Sequence, residues 1–147
     1  MAATFQFEDK QWQSFLKKIN TKWKDIKHRK KFSDLVTIVA FKDIIEHFKE
    51  QKGPSGKWKQ RKEPYKSWIE AKGKGNILQV SGDLRGSLEL GEGKTRSNSE
   101  GIMLFTKVKY AAKHDQGLDG MPKRQFMWLS PKGMKSLVDQ TLKWLSE

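Results

Sequence analysis

The chain has no cysteine, so no disulfide and no thiolate chemistry is available to it. It has only four prolines and two tyrosines. No apolar run reaches the roughly 18 residues that a membrane span requires. The opening segment, MAATFQFEDK, lacks an apolar stretch of signal-peptide length. Acidic residues are scarce relative to basic ones, 17 against 30, which leaves a formal net charge of +13. These absences point to a soluble protein of a reducing compartment, with no membrane partner. A field of that size attracts polyanions and repels copies of itself, which suits contact with nucleic acid or with an acidic protein surface. Most of the positive charge is lysine, and base readout leans on arginine, so nucleic-acid contact would go to phosphates.

What is present is aromatic. Six tryptophans and eight phenylalanines stand in 147 residues. Large rings bury much area each, so a compact core is within reach despite a hydrophobic content of only 35%. The length implies one domain over residues 1–147, and a chain of that size buries about 70% of the surface it exposes when unfolded.

Trp12, Phe15, Leu16, Ile19, Trp23 and Ile26 follow a helical spacing, which predicts an amphipathic helix over residues 9–27. The run KHRKK, residues 27–31, reads as a basic break. Ser33 is then a candidate N-cap for a second helix over residues 33–51, with Leu35, Ile38, Phe41, Ile45 and Phe48 on its face. Gly53-Pro54-Ser55-Gly56 signals a turn. Pro64 opens a short helix to about Ala71, ending at Gly73-Lys74-Gly75. Residues 77–80 read as extended, and Ser81 as the cap of a turn holding Leu84.

Residues 87–90 and 101–108 read as antiparallel strands around a polar, flexible loop at 91–100, and residues 125–129 as a third strand. Ser130 and Pro131 open a closing helix to Ser146, with Met134, Leu137, Val138, Leu142 and Leu145 on its face. Helices first, strands later and a last helix give an α+β domain: N-terminal helices and a C-terminal helix packed on a small antiparallel sheet.

No constellation commits the chain to a reaction. Of the three histidines, His28 lies in a basic run, His47 on the polar side of a helix, and His114 beside Asp115. Neither HExxH nor zinc spacing occurs, and the stretch after His114 lacks the alternating oxygen ligands of a calcium loop. GxSxG and phosphate-loop spacings are also missing. The reading is no enzyme, no cofactor and no metal, with a hydrolase using His114 and Asp115 as the weakest alternative. The basic-aromatic segment at residues 57–68 interleaves Lys57, Lys59, Arg61, Lys62 and Lys66 with Trp58, Tyr65 and Trp68. Its rings either stack on single-stranded nucleic acid or anchor the loop in the core.

An ordered set of small motifs carries a resemblance. A helix ends in Gly53, Pro54, Gly56 and Trp58; a Gly-Lys-Gly linker leads to Ile77-Leu78, then to Ser81, Gly82, Leu84 and Ser87. Tyr110, Ala111, His114 and Gly117 follow, then Met121, Pro122, Arg124 and Phe126, then Leu129-Ser130 and the closing helix. Over residues 44–145 the chain resembles the bacteriophage virion-morphogenesis, or tail-completion, family. Lys123 and Gln125 depart from its Pro-Ala-Arg-Pro-Phe pattern.

The resemblance implies a structural virion protein of the neck or tail end, acting in tail completion and head-tail joining. It implies an oligomeric ring around the DNA channel, met by connector or portal-side and tail-tube proteins, with assembly in the host cytoplasm. Residues 110–130 then form an architectural or interface loop. In it Tyr110-Ala111 ends a strand, Gly117 permits a tight backbone, Pro122 fixes a turn, Phe126 and Trp128 anchor, and His114 hydrogen-bonds; Trp58 joins them as an anchor. Lys57, Lys59, Arg61 and Lys62, with Lys123 and Arg124 at the surface, are the candidate contacts to DNA or to an acidic partner. The alternative is a monomeric, basic nucleic-acid-binding protein that reads phosphates rather than sequence.

Overall fold

The computed structural model describes residues 10–89, 94–98 and 101–147. Two helices lead, α1 (Lys10–Lys24) and α2 (Ile26–Glu50). The break between them lies at Asp25, not at the basic run. Asp25 is extended (φ −74°, ψ 118°), and its carboxylate accepts the N–H of Lys27 at 2.9 Å and of His28 at 3.2 Å. Those two bonds satisfy N–H groups that a helix start otherwise leaves open, and they place negative charge at the helix's positive end. Lysine and arginine are good helix formers, so residues 27–31 continue helically once the cap is in place. Ser33, expected as the cap, is instead buried within α2, where its carbonyl accepts the Thr37 hydroxyl.

At 25 residues, α2 is about 37 Å long by the α-helical rise. It is the spine of the molecule. Toward its start, Phe32 lies 4.5 Å from the ring of Trp144, and Trp23 of α1 meets Phe32 edge-on at 5.9 Å. Toward its end, Phe41, Ile44 and Phe48 enter the main core with Trp58, Ile77, Leu84, Leu88 and Phe126. Phe48 packs edge-on against Trp58 and at 5.3 Å from Phe126. The expected face is thus rotated: Ile38 is exposed, and His47 is buried rather than on a polar side.

Past the left-handed C-cap Gln51, β1 (Lys52–Gly53) and β2 (Gly56–Lys57) make the predicted tight turn. Gly53 is closely packed: a Cβ there would sit 3.2 Å from the Gln125 carbonyl and 3.4 Å from Trp58 Nε1. Helix α3 (Tyr65–Ala71) follows Pro64 as expected. Residues 77–80 are not extended: Leu78 has φ +61° and a turn forms. Gly82, rather than Ser81, occupies the cap position of the short α4 (Asp83–Gly86), while the Ser81 hydroxyl accepts the Asp83 N–H at 3.3 Å.

The strand pairing differs from expectation. Residues 87–89 belong to the turn after α4, and the pair is β3 (Lys94–Ser97) with β4 (Ile102–Phe105), in register Lys94↔Phe105 to Ser97↔Ile102. Part of the expected flexible loop is therefore strand; residues 90–93, 99 and 100 lie outside the described residues. Residues 125–129 form no strand. The N–H groups of Phe126 and Met127 both go to Asp115 Oδ1 at 2.9 Å, so a side chain takes the place of a neighbouring strand. Tyr110 does not end a strand but caps α5 (Ala111–Gln116).

The closing helix α6 (Pro131–Ser146) is as predicted, with Ser130 accepting the Gly133 N–H at 3.0 Å. Among the described residues, six helices and two separate antiparallel hairpins make the α+β class, with hairpins where a single small sheet was expected.

Candidate functional site

The 110–130 segment is built as a frame. Gly117 ends α5 with φ +71°, a conformation glycine adopts without penalty. A Cβ there would also lie 2.9 Å from Lys123 Cβ and 3.0 Å from the Lys123 backbone nitrogen. The chain turns through Asp119 and Gly120, both at positive φ, and returns so that the Arg124 N–H donates to the His114 carbonyl at 2.8 Å.

The basic-aromatic segment is sewn onto this frame. Trp58 Nε1–H donates to the Gln125 carbonyl at 3.0 Å, and Arg124 Nε–H to the Lys59 carbonyl at 2.8 Å. Arg124 is only 5% exposed, which corrects its expected place at the surface; its guanidinium ties two loops together, and burial, then the charge of Arg61, lowers its pKa. Arg61 donates to the carbonyls of Gly75 and Asn76, each at 2.8 Å. Trp58 and Phe126 are core residues. Lys57, Lys59, Lys62 and Lys123 remain exposed.

A cleft of about 720 Å³ opens where these strips meet. Lys59, Arg61, Lys62 and Arg124 line it together with Tyr110, His114 and Pro122, so residues from both predicted groups share one site. Lys57, Lys123, Trp58, Gly117, Phe126 and Trp128 do not line it. Ile77, Leu78, Val80, Met121 and Tyr65 complete the walls. Periodicity alone could not find them, because they come from a turn, a loop and a short helix far apart in the chain. His114 meets the Tyr110 ring edge-on at 5.9 Å, and its Nδ1 is buried without a hydrogen-bond partner. Burial first, and the Arg124 charge second, push its pKa below the usual value. Asp115, the group offered beside it for catalysis, frames the backbone of Phe126 and Met127 instead.

A second polar cluster escaped the sequence reading. His47 is 4% exposed; its ring stacks on Trp128 at 4.3 Å and its Nε2–H donates to the Trp128 carbonyl at 2.9 Å. Asp43 lies 3.5 Å from the same nitrogen and accepts both the N–H and the hydroxyl of Ser130. The spacing of Asp43 and His47, four residues apart on one helix, was the available signal. The Ser130 hydroxyl donates to a carboxylate and accepts from Gly133, so the cluster is a joint between α2 and α6.

Two surface features stand beside the cleft. On α6, Met134, Val138 and Leu142 are 48%, 49% and 52% exposed at four-residue spacing. This corrects their expected inward face; the buried residues of α6 are Gly133 and Trp144. On α3, exposed Tyr65 and Trp68 lie 5.7 Å apart, and Lys72 Nζ sits 3.9 Å over the Trp68 ring.

Among the described residues, no helix is long and apolar enough to cross a membrane, and no group of three or more His, Asp or Glu side chains is placed to hold a metal ion. No curated protein and no solved structure matches the chain. The profile of the phage virion morphogenesis family matches residues 7–146, which extends the likeness from the core at residues 44–145 through α1 as well. With nearly its whole length matched, the chain belongs to the phage virion morphogenesis family, a family of structural and assembly proteins.

Proposed function

We propose that this protein is a structural component of the virion neck or tail end, acting in tail completion and head-tail joining as one subunit of an oligomeric ring around the DNA channel. Beyond family membership, the observation that carries the reading is the uncovered stripe Met134–Val138–Leu142 on α6. Copies of +13 repel one another, so an apolar contact is the kind of patch that lets them meet. A ring needs a heterologous interface, in which this stripe faces a different surface of the next copy. The exposed lysines at 57, 59 and 62 then offer cationic contacts to DNA phosphates or to an acidic protein surface, that of a connector, portal or tail-tube protein or of a neighbouring copy, without reading sequence.

The test is native mass by light scattering at low and high salt, followed by negative-stain imaging. A closed ring, or docking onto a connector ring, is expected. A chain that stays monomeric and binds neither connector nor tube proteins overturns the reading.

One observation favours a second reading, a monomeric protein that binds nucleic acid through phosphates. The exposed pair Tyr65–Trp68 beside Lys62, Lys66 and Lys72 is a platform on which single-stranded bases can stack. Salt-sensitive binding of single-stranded DNA by a strict monomer, lost on Trp68→Ala, would support it.

A further inference from the structure

The cleft combines an apolar floor with a cationic rim. Ile77, Leu78, Val80 and Met121 supply the floor, Lys59 and Lys62 stand exposed at the edge, and among the described residues no aspartate or glutamate lines it. Its volume is that of a site for side chains of ligand size. A complementary occupant brings bulky apolar groups with negative charge beside them.

The chain carries such a segment. Residues 4–9 read Thr-Phe-Gln-Phe-Glu-Asp, and the first nine residues hold two acids and no lysine or arginine, in a protein of net charge +13. In an extended segment, Phe5 and Phe7 stand on one side, with the acidic pair directly behind them. The segment leads into α1, which joins the rest of the molecule where Trp23, Phe32 and Trp144 meet. The cleft lies past the other end of α2, where the Gln51 side chain holds the Ile77 N–H.

We propose that the cleft receives residues 4–9 of a neighbouring copy. Phe5 and Phe7 cover the floor between Tyr65 and Tyr110, and Glu8 and Asp9 meet Lys59 and Lys62. The inference rests on the reading that copies of the chain associate, and it assigns that association a specific arm and receptor. Holding the segment in the cleft costs entropy, so the aromatic pair supplies the affinity and the charges select orientation. The exchange is heterologous and can repeat from copy to copy around a ring.

The test places a photo-crosslinker in the full chain as Phe7→p-benzoylphenylalanine and maps the adducts by mass spectrometry, with light scattering on the same samples. Covalent dimers with adducts at Tyr65, Leu78 or Met121 are expected. Lys59→Glu with Lys62→Glu in the receiving copy should lower their yield at least fivefold, and Glu8→Lys with Asp9→Lys in the probe copy should restore it. A synthetic peptide of residues 1–10 should compete, and the same peptide with both phenylalanines replaced by serine should compete at least tenfold less well. Oligomers whose adducts fall elsewhere overturn the arm while leaving self-association standing. Adducts within one chain overturn it too, and monomers without any adduct overturn both. Equal competition by the serine peptide would mean generic attraction of acids to a basic protein, and would equally sink the proposal.

Discussion

Asp43 holds Ser130 twice across 87 residues of chain: Oδ2 accepts the Ser130 N–H at 2.7 Å and Oδ1 the Ser130 hydroxyl at 2.5 Å. The same hydroxyl accepts the Gly133 N–H, so a side chain of α2 anchors the cap of α6. Asp43→Ala leaves two part-buried donors without their acceptor and should cost about 2 kcal/mol. Gly133→Ala tests the joint from the other side, since a Cβ there would come 2.5 Å from the Asp43 carboxyl. It should cost about 2 kcal/mol through overpacking. Urea unfolding measures both; wild-type midpoints would refute the joint.

Acid should destabilise the fold through its histidines. Burial lowers the pKa of His47, outweighing the opposing pull of Asp43, Glu50 and Glu46, and it lowers that of His114, assisted by Arg124. A folded-state pKa below the unfolded value of about 6.5 means that the unfolded chain binds more protons. Stability is therefore complete above about pH 6.5 and falls as pH drops below it, each histidine contributing a slope of at most about 1.4 kcal/mol per pH unit. Urea midpoints from pH 7.5 to 5 should trace this fall, and His114→Gln should make it shallower.

Arg124 and Lys123 are neighbours with different duties. Arg124→Ala removes the donor to the Lys59 carbonyl and empties a buried site, so a loss of about 2–3 kcal/mol is expected. Lys123→Ala should stay within about 0.5 kcal/mol of wild type, as exposed substitutions do. Thermal unfolding of the two variants side by side decides this, and equal midpoints would return Arg124 to the surface role first expected of it.

The α6 stripe should matter to association and not to folding. Met134→Lys, Val138→Lys and Leu142→Lys combined leave Gly133 and Trp144 untouched. The triple variant is expected to keep its circular-dichroism spectrum and melting temperature within a few degrees while losing at least tenfold in self-association or docking affinity. An unfolded product would show the stripe to be core.

Replacing Lys57, Lys59 and Lys62 by glutamine tests the basic edge without touching Arg61, whose guanidinium holds the Gly75 and Asn76 carbonyls. Each phosphate contact removed should lower the salt slope of DNA binding by about 0.9 for a duplex. An unchanged slope, with weaker binding to connector or tube proteins, would assign the edge to an acidic partner.

Helix α6 and its cap were legible because Ser130, Pro131 and the periodic residues after them are local signals. Its buried face was not, since among the described residues Met134, Val138 and Leu142 stay about half exposed while Gly133 and Trp144 are buried. The start of α2 was misplaced because charge was read as a break, while the local signal at Asp25 was the stronger one. The false strand at 125–129 has a long-range cause: Asp115 takes its N–H groups, and no local pattern announces that. The cleft was half visible as a basic-aromatic run and a loop motif, and only the long-range bonds from Trp58 to Gln125 and from Arg124 to Lys59 show that they are one place.

The packing of Phe126 on Phe48 and of Trp144 on Phe32 has a consequence for synthesis. The spine helix leaves the ribosome early, with one flank of its rings bare until residues made late in translation arrive to cover them. A chain stopped before residue 126 exposes Phe41, Ile44 and Phe48 and presents the sticky surface that chaperones and proteases sort. A chain that carries Phe126 and Trp144 closes this surface itself, before it meets any assembly partner.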